Sequence, residues 1–225
     1  MPKLKWDEST KRLYETGVEK VALYPKSADA TYPAGVAWNG ITAVTESPSG
    51  AEATPLYANN KKYLSLVSAE ESSGTIEAYT YPEEFEACDG NGSLVTGVSI
   101  TQQSRKEFGL AYQTAIGNDA DGDSHGYKLH LLYGAVATPS EKKYSTISNS
   151  PEAMTMSWKY TATPVDVEDF KPTALLIIDS TKVDTNKLEA LEEILYGRDA
   201  VSGETSVEAL VPRLPLPDEI KTLLT

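Results

Sequence analysis

The chain is poor in the residues that carry chemistry. Cys88 is its single cysteine, and His125 and His130 are its only histidines. One cysteine excludes an intramolecular disulfide. Its surroundings, PEEFEACDG, are acidic, which raises a thiol pKa and argues for a packing residue rather than a nucleophile. Two histidines five apart, with the one cysteine far off, make no recognisable zinc spacing; both are expected to be solvated or to sit at an interface. No Walker loop, GxGxxG or GxSxG elbow occurs, and the carboxylate pairs Glu83/Glu84 and Glu192/Glu193 read as solvated helix faces. The expectation is therefore no enzyme, no cofactor and no metal. Basic residues are scarce too: 20 Lys and Arg against 33 Asp and Glu leave a net charge of −13, which excludes ordinary binding to phosphate backbones or anionic membranes. No apolar run reaches membrane length, and MPKLKWDEST lacks the apolar core of a signal peptide, so the protein is expected to be made and kept in the cytoplasm. Phe and Trp number three each against 13 Tyr, whose rings suit half-buried sheet faces and interfaces.

What is present is alternation. In EAMTMSWKYTAT (152–163), Met154, Met156, Trp158 and Tyr160 fall on one face and Thr155, Ser157, Lys159 and Thr161 on the other, as in a half-buried strand. Tyr127, Leu129, Leu131 and Tyr133 repeat the pattern in 126–138, and Phe108, Leu110 and Tyr112 in 106–115. Further β-rich runs at 18–24, 34–46, 61–67, 74–81, 94–101 and 174–180 bring the total to about nine to twelve strands, which predicts an all-β sandwich or barrel with minor α. PEEFEAC (82–88) predicts one or two helical turns plugging an edge or end of it. VDTNKLEALEEILYG predicts a helix capped by Asp184, with Leu188, Leu191, Ile194 and Leu195 on one face and Gly197 as its stop. PRLPLPDEIKTLLT reads as a Pro-rich extended arm with a short apolar end, of the kind that docks on a neighbour; its docking partner is left open.

Two features sit oddly with a compact monomer. WNGITAVTESPSGAEATPLYANN (38–60) begins as a strand and continues as a long polar excursion without nucleophile, base or metal ligand, which points to contact with another protein. Charge is also uneven. Residues 27–100 hold ten acidic side chains and only Lys61 and Lys62 as bases, whereas the first 26 residues hold six bases and four acids. Such asymmetry could let one copy meet another. In NDADGDSHGY, Asp119, Asp121 and Asp123 imitate half a calcium loop, but Gly122 is misplaced and His130 stands where a bidentate Glu belongs, so an Asp/Gly turn between two strands is the preferred reading.

The ordered set WNGITAVTESPSGAEATPLYANNKKYLSL, EAYTYPEEFEACDG, FGLAYQTAIGND, HGYKLHLLYGAVATPSEKKYSTI and SWKYTATP, followed by VDTNKLEALEEILYG and PRLPLPDEI, resembles the major tail tube proteins of long-tailed phages infecting Gram-positive bacteria. The resemblance covers most of the chain. It implies a tail-tube β domain over 1–181, a sandwich or barrel with one flanking helix, followed over 182–225 by a C-terminal helix and extended arm. It further implies sixfold rings whose inner sheets join into one barrel, stacked into a hollow tube around a tape-measure protein and bounded by tail terminator and distal tail proteins. DNA would pass the lumen without specific binding, in a virion tail assembled in the host cytoplasm, with no sheath and no membrane. On that reading Ser47, Pro48, Gly50 and Glu52 reach the next ring while Tyr57, Asn59 and Asn60 anchor the loop's return, and Glu46, Glu52, Glu70, Glu71 and Glu77 are candidates for the lumen, where carboxylates repel phosphates. The competing expectation is a carbohydrate- or host-surface-binding β-sandwich module, which calls for an exposed aromatic platform.

Overall fold

Every strand pairing is antiparallel in the computed structural model, which describes residues 3–147, 153–200 and 208–225. The strands are β1 (Tyr14–Pro25), β2 (Val36–Ala37), β3 (Ile41–Glu46), β4 (Ser49–Gly50), β5 (Ala53–Ala58), β6 (Lys61–Val67) and β7 (Glu70–Ala78). A 3-10 turn at Glu83–Phe85 precedes β8 (Gly92–Val95), β9 (Val98–Ile100), β10 (Phe108–Asn118), β11 (Gly122–Ala137), β12 (Met156–Ala162) and β13 (Leu175–Asp179). Two helices, α1 (Thr185–Tyr196) and α2 (Pro217–Leu224), complete a mostly β fold, as expected. The main sheet runs β2-β1-β10-β11-β12-β7-β3 and curls into a half-barrel, while β5–β6 and β8–β9 stand apart as two-stranded ribbons.

The sheet branches at the long strand β11. Its middle pairs with β13 from Lys128 to Leu132, and its end pairs with β12 from Ala135 to Ala137. Between them Gly134 takes φ +59°, where a Cβ would lie 2.2 Å from the Thr163 carbonyl oxygen. The kink shifts the alternation by one residue. Leu129, Leu131 and Tyr133 face the helices, while Leu132, Ala135 and Ala137 face the barrel interior.

The barrel interior is aromatic. Trp38 packs at 4.4 Å on Phe85 with the planes tilted by 48°, the Phe85 ring meets Trp158 edge-on at 5.3 Å, and Phe108 and Tyr160 fill the space beside them. The 82–88 segment is a single 3-10 turn, with Phe85 and Cys88 sealing one end of the barrel. Burial pushes the Cys88 thiol up to about 12, so it packs as a small apolar group. Phe85→Ala would empty the centre of this cluster and should cost about 3–5 kcal/mol in urea unfolding; a cost below about 1 kcal/mol would show that the ring does not hold the barrel shut.

On the opposite face α1 lays Leu188, Leu191 and Leu195 over β10 and β11. Its first turn is capped by Asp184, which accepts from the Asn186 and Lys187 N–H groups at 3.0 and 3.3 Å. Three buried tyrosines bind the C-terminal segment to the sheet. The Tyr24 hydroxyl donates to Leu195 O at 2.7 Å and that of Tyr133 to Pro215 O at 3.0 Å, while Leu214 N–H reaches Tyr32 O at 3.1 Å. This corrects the reading of PRLPLPDEIKTLLT as an extended arm: Pro217 starts a helix, Ile220 is buried, and residues 208–225 dock within their own chain.

Candidate functional site

Strands β1, β10, β11 and β13 form a four-stranded sheet with two open sides. On one side β2 pairs with β1 only at Ala22 and Leu23, and among the described residues no strand pairs with Tyr14 to Glu19 on that side. On the other, β13 pairs with β11 alone. The Ser180 N–H donates to Tyr127 O at 3.0 Å and the Tyr133 N–H to Ala174 O at 2.8 Å. Antiparallel hydrogen bonding alternates, so Leu176 and Ile178 bond β11 while Leu175, Ile177 and Asp179 turn their backbone groups outward. That edge lies in an apolar trough of about 910 Å³ formed by Val167, Phe170, Leu176, Ile177, Ile220 and Leu224. Phe170 is 71% exposed and Ile177 51%. Lys171, Asp179, Lys182, Lys221 and Pro217 also line the trough, and the Leu175 and Asp179 carbonyls accept from the Thr173 hydroxyl at 2.8 Å and the Lys182 N–H at 3.1 Å, so the edge is blunted at its two ends and lies open around Ile177.

Residues 47–69 form a projecting arm. Ser47 N–H donates to Ser73 O at 2.8 Å, and Ser49 and Gly50 pair with Glu71 and Glu70, so Ser47, Pro48 and Gly50 stand at the root. Gly50 has φ +86°, and a Cβ there would lie 2.3 Å from Ala69 O. Glu52 follows at the start of the ribbon, where its carbonyl accepts from Ser68 N–H at 3.4 Å. The stretch read as a polar loop is a strand from Ala53 to Ala58, and Asn59 and Asn60 form its tip with φ +50° and +61°. Two successive residues at positive φ make a type I′ hairpin turn, for which Asn is suited. Tyr57, Asn59 and Asn60 thus lie at the outer end of the ribbon, and Ser47 to Gly50 at its root. Every residue of β5, and every residue of β6 but Ser65, is exposed, including Tyr57, Tyr63, Leu66 and Val67.

At the arm's root Glu46 meets a polar cluster. The Tyr112 hydroxyl donates to its carboxylate at 2.5 Å, His130 Nδ1 lies 3.2 Å away, and the two rings stack at 4.6 Å with planes 9° apart. His130 Nε2 is 3.1 Å from the Thr114 hydroxyl. His130 is therefore buried rather than solvated: it points off the helix-facing side, as alternation required, but that side is covered by the curl of the barrel. The imidazole contact first, and the Tyr112 hydroxyl after it, hold the Glu46 carboxyl below its usual value. That contribution to stability is present above the ordinary carboxylate range and fades as pH falls through the lowered value; with the side chain 37% open to solvent it is small.

Of the other acidic candidates, Glu70 lines with Glu46 and Pro48 a cavity of about 350 Å³ floored by Leu132 and Leu175. Glu71 and Glu77 alternate with Ser72, Gly74 and Ile76 and lie on the opposite face of β7. Glu52 is exposed on the arm. The structure thus brings two of the five together. The Asp/Gly turn spends its carboxylates on protein partners. Asp119 accepts from the Thr10 N–H at 2.8 Å and the Ser9 hydroxyl at 3.2 Å, Asp121 from the Asn118 amide, and Asp123 from the Tyr14 hydroxyl. Among the described residues no group of three or more His, Cys, Asp or Glu is placed to hold a metal ion, and no helix is long and apolar enough to cross a membrane.

No family model matches the chain, and no curated protein does. Among solved structures it is similar to the sheath/tube terminator of an extracellular contractile injection system, PVC, in the extended state. The identity is 9% and the TM-score 0.34, over 78% of this chain and 99% of that one. It is similar also to a chain of the PVC sheath-tube complex in the extended state, at 12% identity and TM-score 0.32, over 78% and 94% of the two chains. Both superpositions are partial and carry no assignment of partner or assembly.

Proposed function

We propose that the chain is a structural subunit that closes into rings and stacks into a hollow tail tube of a long-tailed phage. The observation that carries this is the pair of open edges on opposite sides of one antiparallel sheet. Along β1-β10-β11-β13 the strands alternate in direction, so β13 of one copy can meet β1 of the next in antiparallel register, and the sheet continues with no change of parity at the junction. Such a contact uses two different surfaces, and a ring forms when the rotation closes. Six copies, the tape-measure protein within, the terminator and distal tail proteins at the ends, passage of DNA and the absence of a sheath follow from the family resemblance of the sequence. The arm reaches toward the adjacent ring. Negative-stain images of concentrated protein test the reading: filaments with a central channel are expected, and protein that stays monomeric even beside a tail initiator complex overturns it.

In this tube Glu46 and Glu70, which share one cavity at the root of the arm, are the candidates for the channel wall, and Glu52, Glu71 and Glu77 stand apart from them. One charge pair in water is worth only about 1 kcal/mol at about 4 Å, but repetition around every ring sums to a continuous field. Glu70→Lys should leave tubes intact in micrographs while slowing DNA ejection, and added salt should ease the defect. Ejection at the normal rate would make the acidic balance a matter of solubility alone.

A further inference from the structure

Like the arm, the ribbon β8–β9 carries apolar side chains over which nothing folds among the described residues. Leu94, Val95, Val98 and Ile100 are all exposed. It lies at the opposite end of the barrel from the arm. β3 and β7 run between Ile41 and Ala78 at one end and Glu46 and Gly74 at the other, and the arm leaves from the second. The 3-10 turn that leads to β8 is fixed at the first, through Phe85 against Trp38 and Tyr81. The segment after β9 returns to the same place, with Gln103 N–H on Gly90 O and Lys106 N–H on Ala87 O.

Charge marks the same two places. Lys61 and Lys62 follow the tip of the arm and are the only bases between residues 27 and 100. Glu83 and Glu84 are exposed beside β8–β9, and Glu86 is tied to that ribbon by the Ser99 hydroxyl at 3.5 Å. A basic tip carrying Tyr57 and Tyr63 thus stands at one end of the barrel; at the other the exposed Glu83 and Glu84 stand by an apolar ribbon, with Arg105 and Lys142 drawn onto Asp89 and Lys106 exposed next to them. Copies stacked head to tail bring the two together. We infer that the arm of each copy seats on the β8–β9 ribbon of a second copy in the next ring, with Tyr57, Tyr63 and Leu66 against Leu94, Val95 and Val98, and Lys61 and Lys62 against Glu83 and Glu84. This rests on the tube reading, since only stacked copies present the two ends to each other.

The test has two arms. A benzophenone photocrosslinker placed at position 63 in an equal mixture of isotope-labelled and unlabelled chains should yield adducts between copies that map to residues 92–100. Charge exchange follows: Lys61→Glu with Lys62→Glu, or Glu83→Lys with Glu84→Lys, should each raise the critical concentration for filaments about tenfold or more, and all four together should return it to within about twofold of the original. Adducts elsewhere, no adducts between copies, or a four-residue variant as defective as either pair overturns the inference. Filaments that form normally with adducts elsewhere leave the tube reading standing. If the unaltered protein forms no filaments, the tube reading falls, and the position of the adducts still decides the contact.

Discussion

Ile177→Pro is expected to abolish rings and tubes while leaving the subunit folded. Proline has no N–H and fixes φ near −65°, so in a sheet it is tolerated only where its N–H would have faced outward. Ile177 meets that condition: its backbone N–H and C=O turn away from β11, toward the trough. The monomer should therefore lose less than about 1 kcal/mol, a fall of about 2–4 °C in its thermal midpoint. The junction between copies loses a donor from a strand only five residues long, and the loss recurs at every junction of a ring. Sedimentation should show monomer and micrographs no filaments. Ile178→Pro is the control, since Ile178 bonds β11; it should cost about 3 kcal/mol or more and damage the fold itself. Channelled filaments from folded Ile177→Pro protein would remove β13 from the assembly.

Excision of the arm should separate folding from stacking. Replacing residues 53–67 by a short Gly-Ser linker removes a ribbon that is almost wholly exposed, so the loss of buried apolar area within the chain is close to nil. The root, where Ser49 and Gly50 pair with β7, stays in place, as does the Glu46, Tyr112 and His130 cluster below it. The thermal midpoint is expected to stay within about 2 °C of the parent, less than the shift from 1 kcal/mol in a chain of this size. Growth of tubes should stop at single rings or short stacks. Tubes of normal length from the excised protein would reduce the arm to a surface hairpin.

Much of this architecture was legible in local pattern. The run 61–67 coincides with β6, Trp158 and Tyr160 mark the buried face of β12, and Asp184 with Gly197 brackets α1, because alternation and capping act over a few residues. What was not legible depends on partners distant in sequence. His130 stands on the correct face of β11, yet only the curl of the sheet decides that this face is covered. The C-terminal segment reads as an arm because Pro212, Pro215 and Pro217 favour extension; its helix forms where Ile220 finds a surface on the sheet. Residues 53–58 mix Ala, Thr and Pro in a weak alternation, so the arm passes for a loop; the one local signal was Asn59-Asn60, a turn dipeptide read as the loop's return rather than as a tip. The open edge of β13 leaves no mark in sequence at all, since an interior and an edge strand of Leu-Leu-Ile-Ile read alike.

The sheet is assembled from contacts of very different range, and that orders events in time. β10 and β11 are joined by Asp119, Ala120 and Asp121 alone, so their hairpin closes on the microsecond scale of local structure. β1 must find β10 from far upstream, and β13 reaches β11 only after the chain has passed through β12; such closures are slow because loop entropy opposes them until the contact is made. In refolding, the two margins that would join neighbouring copies therefore belong to the strands that pair last. A chain still emerging from the ribosome has made β1 but not β13, so one of the two margins is missing until the subunit is complete, which would delay polymerisation. Pulsed hydrogen exchange during refolding should find the β10 and β11 amides protected before those of β1 and β13, and the reverse order would remove this safeguard.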